Sequence, residues 1–278
     1  MLKETEGNRL VIGRVLQLSH LLQKVIFALY LSSAIVVVAM PVVLWLVLAK
    51  KTLMFVFFVP GFDETTTEGF LLHVALHAFM MPAAFCGYTA QECLFLAFFM
   101  PVAACVDAFG NEVEELNSML KLEERDDRAI RDQLNRIVKL HQLLNEYEAM
   151  LEKLYSLMFL NKVGLIYLGI ISAIVVILKS NDRMAYIFFA LQFEQLTQSC
   201  LMGTIVTVKN DQLMDHLYDI NWYQLTPDQA KDLRFILHRA QSPTSVTIGK
   251  YAPLNLESYK RIVKSIYTYV MILVTLLE

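Results

Sequence analysis

Residues 255–278 read NLESYKRIVKSIYTYVMILVTLLE, and the rest of the chain is organised around them. Asn255 is placed to cap a helix, and Glu257 puts a negative charge in the first turn, where the exposed amides favour it. Lys260, Arg261 and Lys264 all fall in the first half, and no charge follows until Glu278. From Ile262 to Leu277 such a helix rises only about 24 Å, slightly less than a hydrocarbon core of roughly 30 Å. A span this short is better surrounded by protein than by lipid. Arg261, Ser265, Thr268, Ile272 and Thr275 recur in steps of three and four, so they form one stripe on an otherwise apolar helix. Two readings of that stripe are open: it faces water, or its hydroxyls bond back to their own helix or across a helix contact.

Composition sets the class of the whole. With 56% hydrophobic residues, 17 Phe, 12 Tyr and a mean hydropathy of +0.47, the chain is too apolar for a soluble domain of 278 residues. It reads as an all-α polytopic membrane protein. Five runs can cross a bilayer: Val25 to Leu48, Phe70 to Phe109, Leu157 to Leu178, Met184 to Val208, and the terminal helix. The first starts too late and runs too long for a cleaved signal peptide. Twenty of the 24 Lys and Arg then lie on the side of the N-terminus, which makes that side cytoplasmic and puts Glu278 at the outer face. The expected organisation is a cytoplasmic loop or helix at 1–24, two membrane helices at 25–109 joined by an extracellular loop at 49–69, and a cytoplasmic helical stalk at 110–156. Two more membrane helices at 157–208, a cytoplasmic hinge helix and linker at 209–255 and the terminal helix at 256–278 complete it.

The polar mass is cytoplasmic. Ile137, Leu140, Leu144, Tyr147, Leu151, Leu154 and Met158 recur in threes and fours, the pattern of a helix seam, on a stalk that runs into the third span. Thr226, Pro227 and Gln229 specify the start of the hinge helix, whose Ala230, Leu233, Leu237 and Ala240 form its apolar face. The triplet Glu112, Glu114 and Glu115 reads as a solvated face. Cys86, Cys93, Cys105 and Cys200 sit in apolar runs with no CxxC spacing, so buried free thiols are expected. No nucleotide-binding, zinc-protease or serine-hydrolase motif is present, and His73 with His77 has no third ligand in sight. Neither enzyme activity, cofactor, metal nor nucleic acid is expected.

Cys200 and Gly203, then YDINWYQL (218–225), RAQSP (239–243), APLNLESY (252–259) and SIYTYVMILV (265–274), in this order and at these distances, resemble the C-terminal signature of insect odorant receptors. Gustatory receptors share the architecture with a different terminal motif and rank second; a non-channel transporter or scaffold is the alternative outside both. The resemblance implies a ligand-gated cation channel in the plasma membrane of a sensory dendrite, with a cytoplasmic N-terminus. It also implies a tuning subunit that binds a small volatile odorant and joins a common co-receptor in a heterotetramer. The family's gate pattern falls on Ile272, Thr275 and Leu276, with Thr268 one step earlier on the same stripe. Complete members have seven spans and this chain five, so the first two helices are expected to be missing. An odorant pocket in the outer half of the spans is expected to draw on Val38, Pro41 and Trp45, on Met81, Phe85 and Tyr88, and on Tyr186, Phe189 and Phe193. Aromatic stripes at this spacing also serve plain helix packing, and that reading stands beside the first.

Overall fold

Four long helices carry most of the chain: α1 Glu6–Leu48, α2 Thr67–Leu120, α3 Asp127–Ser180 and α4 Arg183–Tyr218. A single 3-10 turn at Trp222–Gln224 leads to α5 Pro227–Ala240, a two-stranded ribbon of β1 Thr247–Ile248 and β2 Ala252–Pro253, and α6 Leu256–Leu277. This computed structural model describes residues 6–49, 51, 53, 59, 61–63, 65–180 and 183–277, the side chains of 6, 7, 9, 183, 184, 276 and 277 excepted. Parts of the first cytoplasmic segment and of the outer loop expected at 49–69 therefore lie outside the described residues. Among those described, α1 over Leu10–Leu48, α2 and α3 are long and apolar enough to cross a membrane. The expected spans in α4 and α6 are less apolar. Gln192, Glu194, Gln195 and Gln198 dilute the first, and Lys260, Arg261 and Lys264 crowd one half of the second.

The chain divides into two compact units, Gln17–Ala97 and Met1–Leu16 with Phe98–Glu278. In the first, rings of α1 and α2 pair: Phe27 with Phe85 at 5.4 Å, Tyr30 with Tyr88 at 6.4 Å, and Trp45 with Phe70 at 5.7 Å. Many apolar side chains of this unit face outward, including Leu46, Val47 and Phe79, which lipid accommodates and water would not.

The larger unit is built on α3, one uninterrupted helix of 54 residues in which the stalk continues into the span, as the sequence implies. Its buried stripe runs through Ile137, Leu140, Leu144 and Leu151, then Ser156, Phe159, Val163, Ile166 and Ile170. Leu154, expected in that seam, is exposed. A 3.5-residue pattern drifts around a 3.6-residue helix, and by Leu154 the drift has carried it off the buried side. Phe99 of α2 meets Tyr155 at 5.4 Å and Phe159 at 6.2 Å, closing the core at that level. In α5 the buried residues are Gln229, Leu233, Ile236 and Ala240, so Ile236 takes the place expected for Leu237. The start of α5 is as specified: Pro227 opens it, and Gln229 Oε1 accepts the Thr226 amide at 3.0 Å.

Glu112 corrects the solvated reading of the acidic triplet. It is buried, and its carboxylate accepts from Asn8 Nδ2 at 3.1 Å and Gln133 Nε2 at 2.8 Å. Glu114 is exposed, as expected. All four cysteines are free, Cys200 buried and Cys86 exposed.

Two further titratable groups are buried on α3 outside the membrane segments. Burial pushes the Glu148 carboxyl from 4.5 up to about 7, against an Asn210 hydrogen bond and the Arg239 charge that both favour ionisation. Burial pushes the His141 imidazole from 6.5 down to about 4, and the Arg239 charge adds to it. Their linkages oppose. Folded Glu148 keeps a proton that the unfolded chain releases, so its stabilisation is full below pH 4.5 and is lost as pH rises through about 7. Unfolded His141 takes up a proton below pH 6.5 that the folded state refuses, so stability falls as pH drops toward about 4. Glu148→Gln removes the first slope. Its melting temperature in detergent is expected to climb more steeply than the parent's between pH 4.5 and 6.5; identical profiles would mean Glu148 carries no extra proton.

Candidate functional site

The terminal helix is fixed at its beginning and bare toward its end. Asn255 caps it as expected, its Oδ1 accepting the Ser258 amide at 2.9 Å. The Leu256 amide donates to Thr204 Oγ1 of α4 at 2.9 Å, and Thr197 Oγ1 donates to the Tyr259 hydroxyl at 3.2 Å. On the α3 side the Tyr167 hydroxyl lies 2.9 Å from Ser265 Oγ, and the Tyr167 ring meets Tyr269 edge-on at 6.1 Å. Beyond this root the surface opens: Tyr267, Tyr269, Met271 and Ile272 are each at least half exposed.

On the hydroxyl stripe, Thr268 Oγ1 donates to Lys264 O at 3.0 Å, and Thr275 Oγ1 donates to Met271 O at 2.6 Å. Both hydroxyls therefore spend their proton on their own helix. Their oxygen lone pairs remain free to meet water or a cation, so the two readings of the stripe are compatible. Arg261 pairs with Glu257 one turn back, and both are exposed, so the pair adds little to stability. The Leu276 side chain of the expected gate lies outside the described residues.

The expected ligand residues fall in both units. In the smaller one Pro41 is buried, Val38, Trp45, Met81 and Phe85 are half-buried, and Tyr88 is exposed. The rings of Trp45, Phe85 and Tyr88 each lie against a ring of the neighbouring helix, as plain packing would have it. In the larger unit Phe189 stacks on Phe193 at 5.8 Å, and Phe193 meets Tyr259 of α6 at 5.9 Å, while Tyr186 is exposed. Periodicity places Phe189 and Phe193 on one face of α4; it has no means of pointing to Tyr259, whose partner is 66 positions away in sequence.

A polar cavity of about 270 Å³ in the larger unit, lined by Arg14, Asp107, Asn111, Glu114 and His216, contains none of these residues. His73 is structural: its Nδ1 lies 2.6 Å from Gly69 O, and its Nε2 accepts the Val59 amide at 3.0 Å. No cluster of three or more metal-ligating side chains occurs among the described residues.

Long apolar helices, a charged helical extension of α3 and a short terminal helix rooted on α3 and α4 define a polytopic helical membrane protein. The same architecture occurs in the insect olfactory receptor OR5 from Machilis hrabei. Its structure in complex with eugenol matches at a TM-score of 0.79 with 16% identity, over 99% of this chain and 72% of that one. A second structure of that receptor matches at 0.76 with 17% identity, over 98% and 71%. A family model described as 7tm Odorant receptor matches residues 4–267. The chain belongs to the insect odorant receptor family. Among curated relatives, putative odorant receptor 83c of Drosophila melanogaster is 26% identical over 137 residues, 49% of this chain and 34% of that protein. Odorant receptor 2a of the same organism is 28% identical over 82 residues, 30% of this chain and 21% of that one. These matches span about a third or less of the relatives' own lengths.

Proposed function

We infer that this chain is the odorant-binding subunit of a heteromeric ligand-gated cation channel, in which α6 lines the pore and the chain assembles with a common co-receptor in a heterotetramer. The observation that carries this reading is the asymmetry of α6. Its first half is tied to α3 and α4 by named hydrogen bonds, while Ile272 and its neighbours stand uncovered within the subunit. Lipid or another subunit can cover half-exposed apolar groups at the free end of a rooted helix, and the Thr268 and Thr275 hydroxyls on the same face favour a subunit and water over lipid. Copies of the same helix around a pore axis supply both. Ile272 and Leu276 then close the pore by excluding water, and Thr268 and Thr275 offer oxygens to a partly hydrated cation.

The ligand is a small volatile molecule held by apolar and aromatic groups, and two separate sets of side chains are candidates for holding it: Val38, Pro41, Trp45, Met81, Phe85 and Tyr88 in the smaller unit, and Tyr186, Phe189 and Phe193 in the larger. That eugenol occupies the similar receptor OR5 favours a ligand of this kind. The contact of Phe193 with Tyr259 provides a route by which occupancy biases the root of α6. The charge bias of the sequence favours a cytoplasmic N-terminus, and membership of the odorant receptor family favours the plasma membrane of a sensory dendrite, with the α3 stalk and α5 as an anchor shared among subunits. Phe235, exposed on α5, belongs to that shared surface.

Co-expression with the co-receptor tests the reading: volatile ligands are expected to evoke cation current, and solute uptake without current would replace the channel by a transporter. In the same cells Trp45→Ala and Phe85→Ala are expected to reorder the ligand panel. An unchanged ranking in both variants would return those rings to helix packing.

A further inference from the structure

The geometry points to Glu152 of α3 as the positioning residue that fixes the root of the terminal helix, through the ribbon joining α5 to α6. Glu152 Oε2 accepts the Thr247 amide at 2.7 Å, and Oε1 accepts the Thr247 hydroxyl. The same hydroxyl oxygen accepts the Lys250 amide at 2.9 Å and lies 3.1 Å from Ser156 Oγ. One turn along α3, Ser156 O accepts the Gly249 amide at 3.0 Å. Gly249 and Lys250 both have positive φ, 59° and 64°, which turns the ribbon tightly enough to lie flat on α3. A Cβ at Gly249 would stand 2.8 Å from the Leu160 side chain.

These contacts continue into α6 without slack. The Leu254 amide donates to Val246 O at 2.8 Å, Leu254 is buried against Gly203, and the Leu256 amide donates to Thr204 Oγ1. Between the last clamped residue of the ribbon and the first turn of α6 there is no free segment to absorb movement. A helix held this way can only pivot, so a small push on its middle becomes a larger displacement at Ile272. Charge-assisted bonds from a carboxylate to an amide and a hydroxyl are the strongest of the set, and both belong to Glu152. This rests on the gating reading given above.

Hydrogen exchange on the full chain in detergent, comparing the parent with Glu152→Ala, Glu152→Gln and Thr247→Val, is the test. In Glu152→Ala the amides of 247–251 and of the first turns of α6, 256–262, are expected to exchange about tenfold faster, as loss of one net hydrogen bond's worth of local stability implies. Glu152→Gln keeps one acceptor and should fall between, and α5 should keep the parent's rates. Faster exchange confined to the ribbon, or none, overturns the assignment. Thr247→Val removes one hydroxyl and no charge, so it decides by the same comparison if Glu152→Ala does not fold. Where ligand-evoked current is present, Thr247→Val should raise the half-maximal ligand concentration several-fold and leave the ligand ranking intact; an unshifted value also overturns the assignment. A parent that passes no current refutes the channel reading, and the exchange rates still judge Glu152.

Discussion

Ile272→Ser is expected to raise the ligand-free current of the assembled receptor by about tenfold or more. A closed constriction of this type is held by apolar side chains that exclude water, and burying an isoleucine is worth roughly 2 kcal/mol. Since about 1.4 kcal/mol is a factor of ten in an equilibrium, losing even one such contribution moves the resting population by that factor. The subunit itself gives Ile272 no cover, as the residue is 51% exposed, so the substitution removes little that holds this chain together. Met271→Ser is the matched control. Met271 is equally bare, at 50% exposure, but lies off the stripe of Thr268, Ile272 and Thr275. It should leave the resting current where it is. Equal resting currents in the parent and Ile272→Ser, at equal surface levels, would make the stripe a packing face.

What was legible in the sequence was local in its physics. Asn255 and Thr226 could be identified as helix starts because a cap is satisfied within three residues, by Ser258 N in one case and through Gln229 in the other. The membrane character of α1, α2 and α3 was legible because it is a property of composition summed over a helix. The seam of α3 is buried at Ile137, Leu140, Leu144 and Leu151, only half-buried at Tyr147 and exposed at Leu154, where a small periodic mismatch has accumulated into a change of face. The burial of Glu112 is not legible in the sequence because its partners, Asn8 and Gln133, are 104 and 21 residues away, and nothing in a run of acidic residues announces them.

The site was legible as a set of faces and not as a set of contacts. Spacing placed Phe85 and Tyr88 on one side of α2, but only the fold shows Phe27 and Tyr30 opposite them. Spacing likewise found the Thr268 and Thr275 stripe, but not that each hydroxyl donates to its own helix. The attachments of α6 had a weaker signal still. Gly203, a residue that weakens a helix interior, sits within α4 and hints that another backbone passes close by.

Gly203→Ala tests that close approach, and it is expected to cost the folded state about 3–5 kcal/mol, the sum of overpacking and of the hydrogen bonds that must break to relieve it. An added Cβ would stand 1.8 Å from the Leu254 carbonyl oxygen and 2.8 Å from its carbon. These are backbone atoms, so no side-chain rotation removes the clash. The Leu254 segment cannot simply retreat, because its amide is bonded to Val246 O and the Leu256 amide to Thr204 Oγ1, on the next residue of α4 itself. A loss of this size is a large share of the ~5–15 kcal/mol that holds a typical domain together. Gly164 of α3 supplies the opposite case. It is exposed in a helix with nothing within 4 Å of an added Cβ, so Gly164→Ala should stabilise by about 0.4–1 kcal/mol through the unfolded chain. Thermal melts in detergent should therefore move in opposite directions for two identical substitutions. A Gly203→Ala protein that melts with the parent would place α4 and the lead-in to α6 further apart than this packing allows, and the rooted helix on which the gating scheme depends would lose its fixed end.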